Sequence, residues 1–273
     1  LFLPQFKSDY IAGETFRNTT CPLCQGEPYY LAAAFKDHRA FRKLKGQGRI
    51  LDPVIDFSKG IEAAEPLFLT MGRTLGRRWQ ESRRAFRQAV ATQKARADEL
   101  ERRGREALRE LEDNPDDIAV VLFGRSYNAF VSEANMGIPN KFASRGIRVI
   151  PLPCLDLSED DGDDSSMYWA SGQRMLKAAR IVKKHPRLFG CFITNFSCGP
   201  DSFLLGYFRD IMGKKPSLTL ELDSHVADAG LETRIEAFLD IIARYRELEK
   251  QQTRTEAVRA FRPASVERRN GHE

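Results

Sequence analysis

The chain has 273 residues, 42% of them hydrophobic and 30% charged, enough for one large soluble domain or two ordinary ones. No run of about eighteen apolar residues occurs, which argues against a membrane-spanning helix, and a formal charge of +5 without aromatic-rich basic motifs argues against a nucleic-acid partner. Five cysteines, an odd number with no secretory signal, argue against a disulfide framework and for thiol or metal chemistry in a reducing, cytoplasmic compartment. The start, Leu1-Phe2-Leu3-Pro4, has neither an initiator Met nor the order of a signal peptide, and reads as the beginning of a piece of a longer polypeptide.

Leu1 to Phe6 is a short strand candidate. Thr20 is placed to cap a helix starting near Pro22 and continuing through Tyr30 to Phe35. Cys21-Pro22-Leu23-Cys24 at that helix start has two readings, a redox dithiol or a pair of metal or iron–sulfur ligands. A zinc site would want a second close pair, which the sequence lacks. Ile50 to Phe57 reads as another strand end, and Gly60 to Glu112 as long Arg-, Glu- and Ala-rich helix whose charges are a solvated face. Asp113-Asn114-Pro115-Asp116-Asp117 breaks it and marks a domain boundary.

Beyond the boundary, strands alternate with helices. Ile118 to Phe123 is a buried strand of parallel-sheet type ending in Gly124-Arg125-Ser126-Tyr127-Asn128. A short helix to Ser144 and a strand from Ile147 to Leu152 follow, with Cys154 just past the strand. Glu159 to Asp164 reads as a mobile, solvated acidic loop, and Met167 to His185 as a helix.

The apolar run Leu188 to Phe196 then stops at Ser197-Cys198-Gly199-Pro200-Asp201-Ser202, and Phe203 to Met212 is amphipathic, which gives strand, tight turn and helix. Cys198 lies where open α/β sheets gather ligands, at a strand's carboxyl end beside the amides of a helix N-terminus. Cys191, inside the strand, reads instead as a packed core thiol. Ser217 to Leu222 is a further strand ending in Asp223-Ser224-His225, Leu231 to Leu248 is the last helix, and the basic tail from Gln251 to Glu273 reads as disordered. Residues 116–250 thus form a doubly wound parallel sheet. Its strand-end loops, carrying Arg125, Tyr127, Asn128, Cys154, Cys198 and His225, are expected to converge on one crevice.

These motifs resemble a known family. Gly124-Arg125-Ser126-Tyr127-Asn128, Asn195-Phe196-Ser197-Cys198-Gly199-Pro200-Asp201-Ser202 and Leu220-Glu221-Leu222-Asp223-Ser224-His225 with Asp228-Ala229-Gly230 are similar to the C-terminal part of large CoA-substrate-specific enzyme activase proteins. Cys21-Pro22-Leu23-Cys24-Gln25-Gly26 resembles an earlier motif of the same part. Those proteins are related to the iron–sulfur subunits of 2-hydroxyacyl-CoA dehydratases and to double-cubane cluster proteins.

The resemblance implies an α/β protein of two Rossmann-like lobes, the first incomplete here (residues 1–60), joined by a helical segment (61–115) to a second lobe (116–250). It implies an iron–sulfur cluster, 4Fe-4S or double-cubane, between the lobes. Cys21 and Cys198 are the implied ligands, with Cys24 and Cys154 as substitutes for a cysteine that the relatives carry further upstream; Arg125, Tyr127, Asn128 and His225 are expected to line the same cleft, with a structural role as the alternative for Arg125 and His225. It further implies an activase ATPase domain or subunit as partner, acyl-CoA or another small substrate, and a dimer. The functional expectation is a cluster-binding component of ATP-driven low-potential electron transfer, dehydratase-like or reductase-like, with a cluster-free domain that docks the activase as the alternative.

Overall fold

The computed structural model describes residues 1–11, 18–158, 160, 162, 166–195 and 198–260, with side chains to 255. The protein is α/β, with a two-stranded parallel sheet, a four-stranded parallel sheet and helices between them. In the first sheet β1 (Gln5–Ser8) pairs with β2 (Val54–Asp56), and the crossover carries α1 (Pro22–Ala34) and α2 (Arg39–Gly46). Thr20 does not cap α1. The residue at the cap position is Cys21, and the Thr20 hydroxyl donates to the Phe6 carbonyl instead, fastening the helix start to β1.

The helical stretch is divided. A 3-10 turn (Ile61–Ala64) leads into α3 (Glu65–Thr74), and α4 (Trp79–Glu112) follows a break at Gly76, whose φ of 72° lies in the left-handed region that glycine tolerates. Arg102 and Arg103 of α4 pair with Glu99, and Arg105 with Glu101, at helical spacing, so these charges form a solvated face.

The second sheet holds β3 (Ala119–Gly124), β4 (Arg148–Pro151), β5 (Leu188–Asn195) and β6 (Ser217–Leu222) in the order β4-β3-β5-β6, all parallel. Strands β3 and β5 are apolar on both faces because both faces are covered. One core joins Val121, Phe123 and Phe192 to α4, α7 (Ala170–Lys184) and α8 (Gly199–Met212). The other joins Val120, Leu122 and Ile193 to α6 (Ile138–Ala143) and α9 (Asp228–Ala260), while a single turn, α5 (Ser126–Ala129), follows β3. Phe208 of α8 fits against Phe123 and Phe192, at centroid distances of 5.0 and 5.4 Å, because Gly190 leaves room: a Cβ there would stand 2.9 Å from its ring.

The first strand begins later than expected, at Gln5 rather than Leu1, and the last helix and the acidic loop also differ from the sequence pattern. Helix α9 runs past Leu248 to Ala260, since Arg246 donates to the carbonyls of Pro115 and Asp116 and Lys250 pairs with Asp116, which pins this polar stretch to the loop before β3. Residues 261–273 of the expected tail lie outside the described residues. In the acidic loop, Asp160 is buried and ion-paired with Arg180 at 2.6 Å rather than solvated, while residues 159, 161, 163 and 164 lie outside the described residues. No helix among the described residues is long and apolar enough to cross a membrane.

The chain leaves β3 through Gly124, at φ 144°, where a Cβ would stand 2.4 Å from the Ile193 carbonyl oxygen of β5. A side chain there meets both a disfavoured backbone and a rigid neighbour. Gly124→Ala should therefore destabilise the protein by on the order of 3 kcal/mol, read as a lowered denaturant midpoint at unchanged slope; an unchanged midpoint would refute the close-approach account.

Candidate functional site

The strand order reverses its direction of growth between β3 and β5: β4 lies on one side of β3, β5 and β6 on the other. At such a switch point the loops leaving two adjacent strands diverge to opposite faces and open a crevice. Arg125 and Tyr127 follow β3, and Cys198 follows β5, so the crevice gathers both. The N-terminal part supplies its other wall. Thr19 makes a parallel bridge to Trp169, its amide donating to the Tyr168 carbonyl (3.0 Å) and its carbonyl accepting from Ala170 (3.1 Å), which sets Cys21 beside the start of α7. Arg174 of α7 adds an ion pair with Asp9 at 2.6 Å.

The result is a cavity of about 310 Å³ lined by Cys21, Cys24, Cys198, Arg125 and Tyr127, with Leu23, Glu27, Tyr30 and Leu31 of α1 completing it. Cys21 and Cys198 are the cap residues of α1 and α8, helices of 13 and 14 residues with a proline in the first turn of each. Both thiols thus stand at the positive end of a helix. Burial nevertheless raises the Cys198 thiol above its usual range, with the Asp201 carboxylate adding to the effect and the Asp201 amide and Arg125 charge opposing it. Cys24 is exposed as a residue, but burial of its thiol and the adjoining Cys21 push it up as well, against Arg125. Tyr127 is raised chiefly by burial, then by Cys198 and Asp201.

Arg125 is held rigidly. Its Nε donates to Asp201 Oδ1 at 3.0 Å and its Nη1 to Ser171 Oγ at 2.7 Å, while Asp201 Oδ2 accepts from Thr194 Oγ1 at 2.8 Å. The two charged side chains are 10% and 2% exposed, so the pair is buried, and removing one member would cost about 3–5 kcal/mol. Among the described residues the buried Arg125 Nη2 has no acceptor.

The other residues singled out from the sequence lie elsewhere. Cys154 follows β4, one strand away from the switch point, and is buried against α4, where a Cβ at Gly104 would stand 1.7 Å from its carbonyl oxygen. His225 follows β6 at the sheet edge and is exposed. Asn128 is buried beneath the turn, its backbone N–H donating to the Arg125 carbonyl at 3.0 Å. The partners that sequence reasoning missed are Asp201, Ser171 and Thr194. Asp201 stood within the quoted turn motif, yet nothing local marks it as the counter-ion of an arginine 76 residues away.

Among the described residues no three His, Cys, Asp or Glu side chains stand close enough to hold a single metal ion. The thiols instead line two walls of one space, with Cys21 and Cys24 adjoining on α1 and Cys198 on α8. Cys21, Cys24 and Cys198 are the side chains of this space that could ligate a soft metal.

A family model described as CoA enzyme activase uncharacterised domain (DUF2229) matches residues 1–155, more than half of the chain. The protein belongs to this family. The matched part of this CoA enzyme activase domain contains Cys21, Cys24, Arg125 and Tyr127 and ends ahead of Cys198. No curated protein and no solved structure matches the chain significantly.

The site predicts a reactivity order. Iodoacetamide should label Cys24 first and the half-buried Cys198 next in the native protein, and the fully buried Cys191 only after unfolding. Because Cys24 and Cys198 are raised from 9.0, their labelling rates should still be climbing above pH 9.0 in peptide-resolved mass spectra. A plateau below that pH would contradict burial as the dominant effect.

Proposed function

We propose that the cavity holds an iron–sulfur cluster and that the chain is the cluster-bearing component of the electron-transfer system of a CoA enzyme activase. The observation that carries this reading is that cysteines far apart in sequence, Cys21 and Cys24 on α1 and Cys198 on α8, line one cavity at the switch point of a parallel sheet. The family name supports an association with a CoA enzyme activase. Such a cluster, when bound, supplies one-electron chemistry at a low potential set by net charge, hydrogen bonding and solvent exposure.

The chain's own residues have definite tasks in that reading. Cys21 and Cys198 hold iron as thiolates and Cys24 is the third sulfur, each giving up its proton on binding, so that loading releases protons. Leu23, Tyr30 and Leu31 limit water on the α1 side. Tyr127, half exposed at the cavity wall, stands where an acceptor would enter. The acceptor class is an acyl-CoA or another small substrate, and the electron donor is the activase ATPase, as a domain or a partner subunit.

Anaerobic reconstitution with iron and sulfide tests the proposal. Wild-type protein should gain several irons with matching acid-labile sulfide and the visible absorbance of thiolate-bound iron. Cys21→Ala and Cys198→Ala should each lose most of the iron, Cys24→Ala should lose part of it, and Cys154→Ala should retain it. Iron-free wild-type protein, or equal loading in all four variants, would overturn the reading.

A further inference from the structure

The formal charge of the whole chain, +5, is concentrated in one short stretch. Between residues 36 and 49 stand Lys36, Arg39, Arg42, Lys43, Lys45 and Arg49 against a single acid, Asp37, a net of +5, so the rest of the protein is neutral in sum. All six cations are exposed on α2 and the segments that flank it, and among the described residues none has an ion pair or a side-chain hydrogen bond. Elsewhere the chain neutralises its arginines: Arg83 and Arg87 share Glu65, Arg102 and Arg103 share Glu99, and Arg145 meets Glu232 and Glu236.

The local structure holds this charge outward and does nothing to relieve it. Phe41 of α2 is buried and Leu44 half-buried, which turns the helix so that Arg39, Arg42 and Lys43 project from the opposite face. Arg39 lies three and four residues ahead of Arg42 and Lys43, and Arg42 three ahead of Lys45, so like charges sit at the spacings where helix side chains meet, which destabilises the helix. Arg39 also stands in the first turn, at the positive end of the helix dipole. Repulsion repeated in this way, in a helix that buries only Phe41, points to a use.

The shape and composition of the patch narrow the partner. It is the convex outer face of a helix, so it meets a surface and does not enclose a small anion. A helix that lies on a membrane inserts its apolar face, whereas this one packs that face inward. Nucleic-acid surfaces interleave stacking aromatics with cations, and the one Phe, Tyr or Trp between residues 36 and 49 is the buried Phe41. Three of the six cations are arginines, whose forked donors match carboxylates in bidentate pairs. At the edge stands Phe35, half exposed and edge-on to His38 at 6.0 Å, and arginine beside an anchoring aromatic is what protein interfaces concentrate.

We infer that α2 and its flanks form a docking surface for an acidic face of a partner protein, with Arg39, Arg42 and Lys43 at its centre. The inference does not depend on what the thiol cavity holds. Helix α2 begins past the far end of α1, whose 13 residues span about 20 Å from the Cys21 end.

A glutamate-rich peptide is the probe, used on the whole chain. It should bind wild type at low salt, and its affinity should fall as added salt screens the exposed charges. Arg39→Gln with Arg42→Gln and Lys43→Gln should weaken binding about tenfold or more. Arg102→Gln with Arg103→Gln and Arg105→Gln removes the same charge from the paired face of α4 and should leave affinity within about twofold. Arg39→Lys with Arg42→Lys keeps the charge but loses the forks, and should weaken binding severalfold. Because the α2 triple variant relieves like-charge contacts, its unfolding midpoint should be no lower than that of wild type, which separates lost docking from lost folding. Equal affinity of the α2 and α4 variants would overturn the inference, since the peptide would then respond to net charge alone. So would tighter binding of an oligonucleotide, or of vesicles containing phosphatidylserine, than of the peptide at matched charge and salt, which would assign the patch to a nucleic acid or a membrane. Self-association of wild type that the α2 variant loses would likewise overturn it, assigning the face to a second copy of the chain.

Discussion

The buried ion pair between Arg125 and Asp201 is the constraint on which the site depends. It joins the turn after β3 to the first turn of α8, and through Thr194 it is tied to the end of β5, so three elements share one carboxylate. The desolvation of two charges makes such a pair a poor source of net stability compared with packed hydrocarbon. Its value is geometric. With Asp201 bonded on both oxygens, Cys198 three residues earlier has little freedom, and the guanidinium is held in place.

The N-terminal part is fastened to this frame by backbone rather than by a large apolar surface. The Thr19 bridge to Trp169 sits two residues ahead of Cys21, and Thr20 ties the same point back to β1. These bonds place the cap of α1 against the start of α7, and α7 packs on α8 through Gly172, where a Cβ would come within 3.0 Å of Leu204. A chain of contacts therefore runs from Cys21 to Cys198 through α7, and the two cysteines line one cavity because two helix starts are held by a third helix.

Much of the sheet was legible because its strands are buried on both faces. Ile118 to Phe123 and Leu188 to Phe196 are nearly unbroken apolar runs ended by turn residues, a pattern that only an enclosed parallel strand requires. Cys198 was legible for the same reason, as the residue at which such a run meets a helix. What the sequence could not convey was strand order. Only the order β4-β3-β5-β6 puts the ends of β3 and β5 at the crevice and moves Cys154 and His225 out of it, and strand order arises from long-range packing. The Arg125–Asp201 pair was hidden likewise, since a buried arginine and a surface arginine look alike in sequence.

Two opposing effects meet at the thiols, and their balance gives the site its character. Helix N-termini and a nearby arginine favour thiolates, whereas removal from water favours neutral thiols, and at Cys24 and Cys198 the second effect is the larger. Each full pKa unit of such a shift is worth about 1.4 kcal/mol of difference between protonation states. Burial therefore holds Cys24 and Cys198 toward the neutral, weakly nucleophilic thiol, which protects them from adventitious oxidation. In the proposed function a metal held by these sulfurs would reverse the balance, since a coordinating thiol is deprotonated. The helix ends and Arg125, outweighed by burial, would then act in the same direction as that metal.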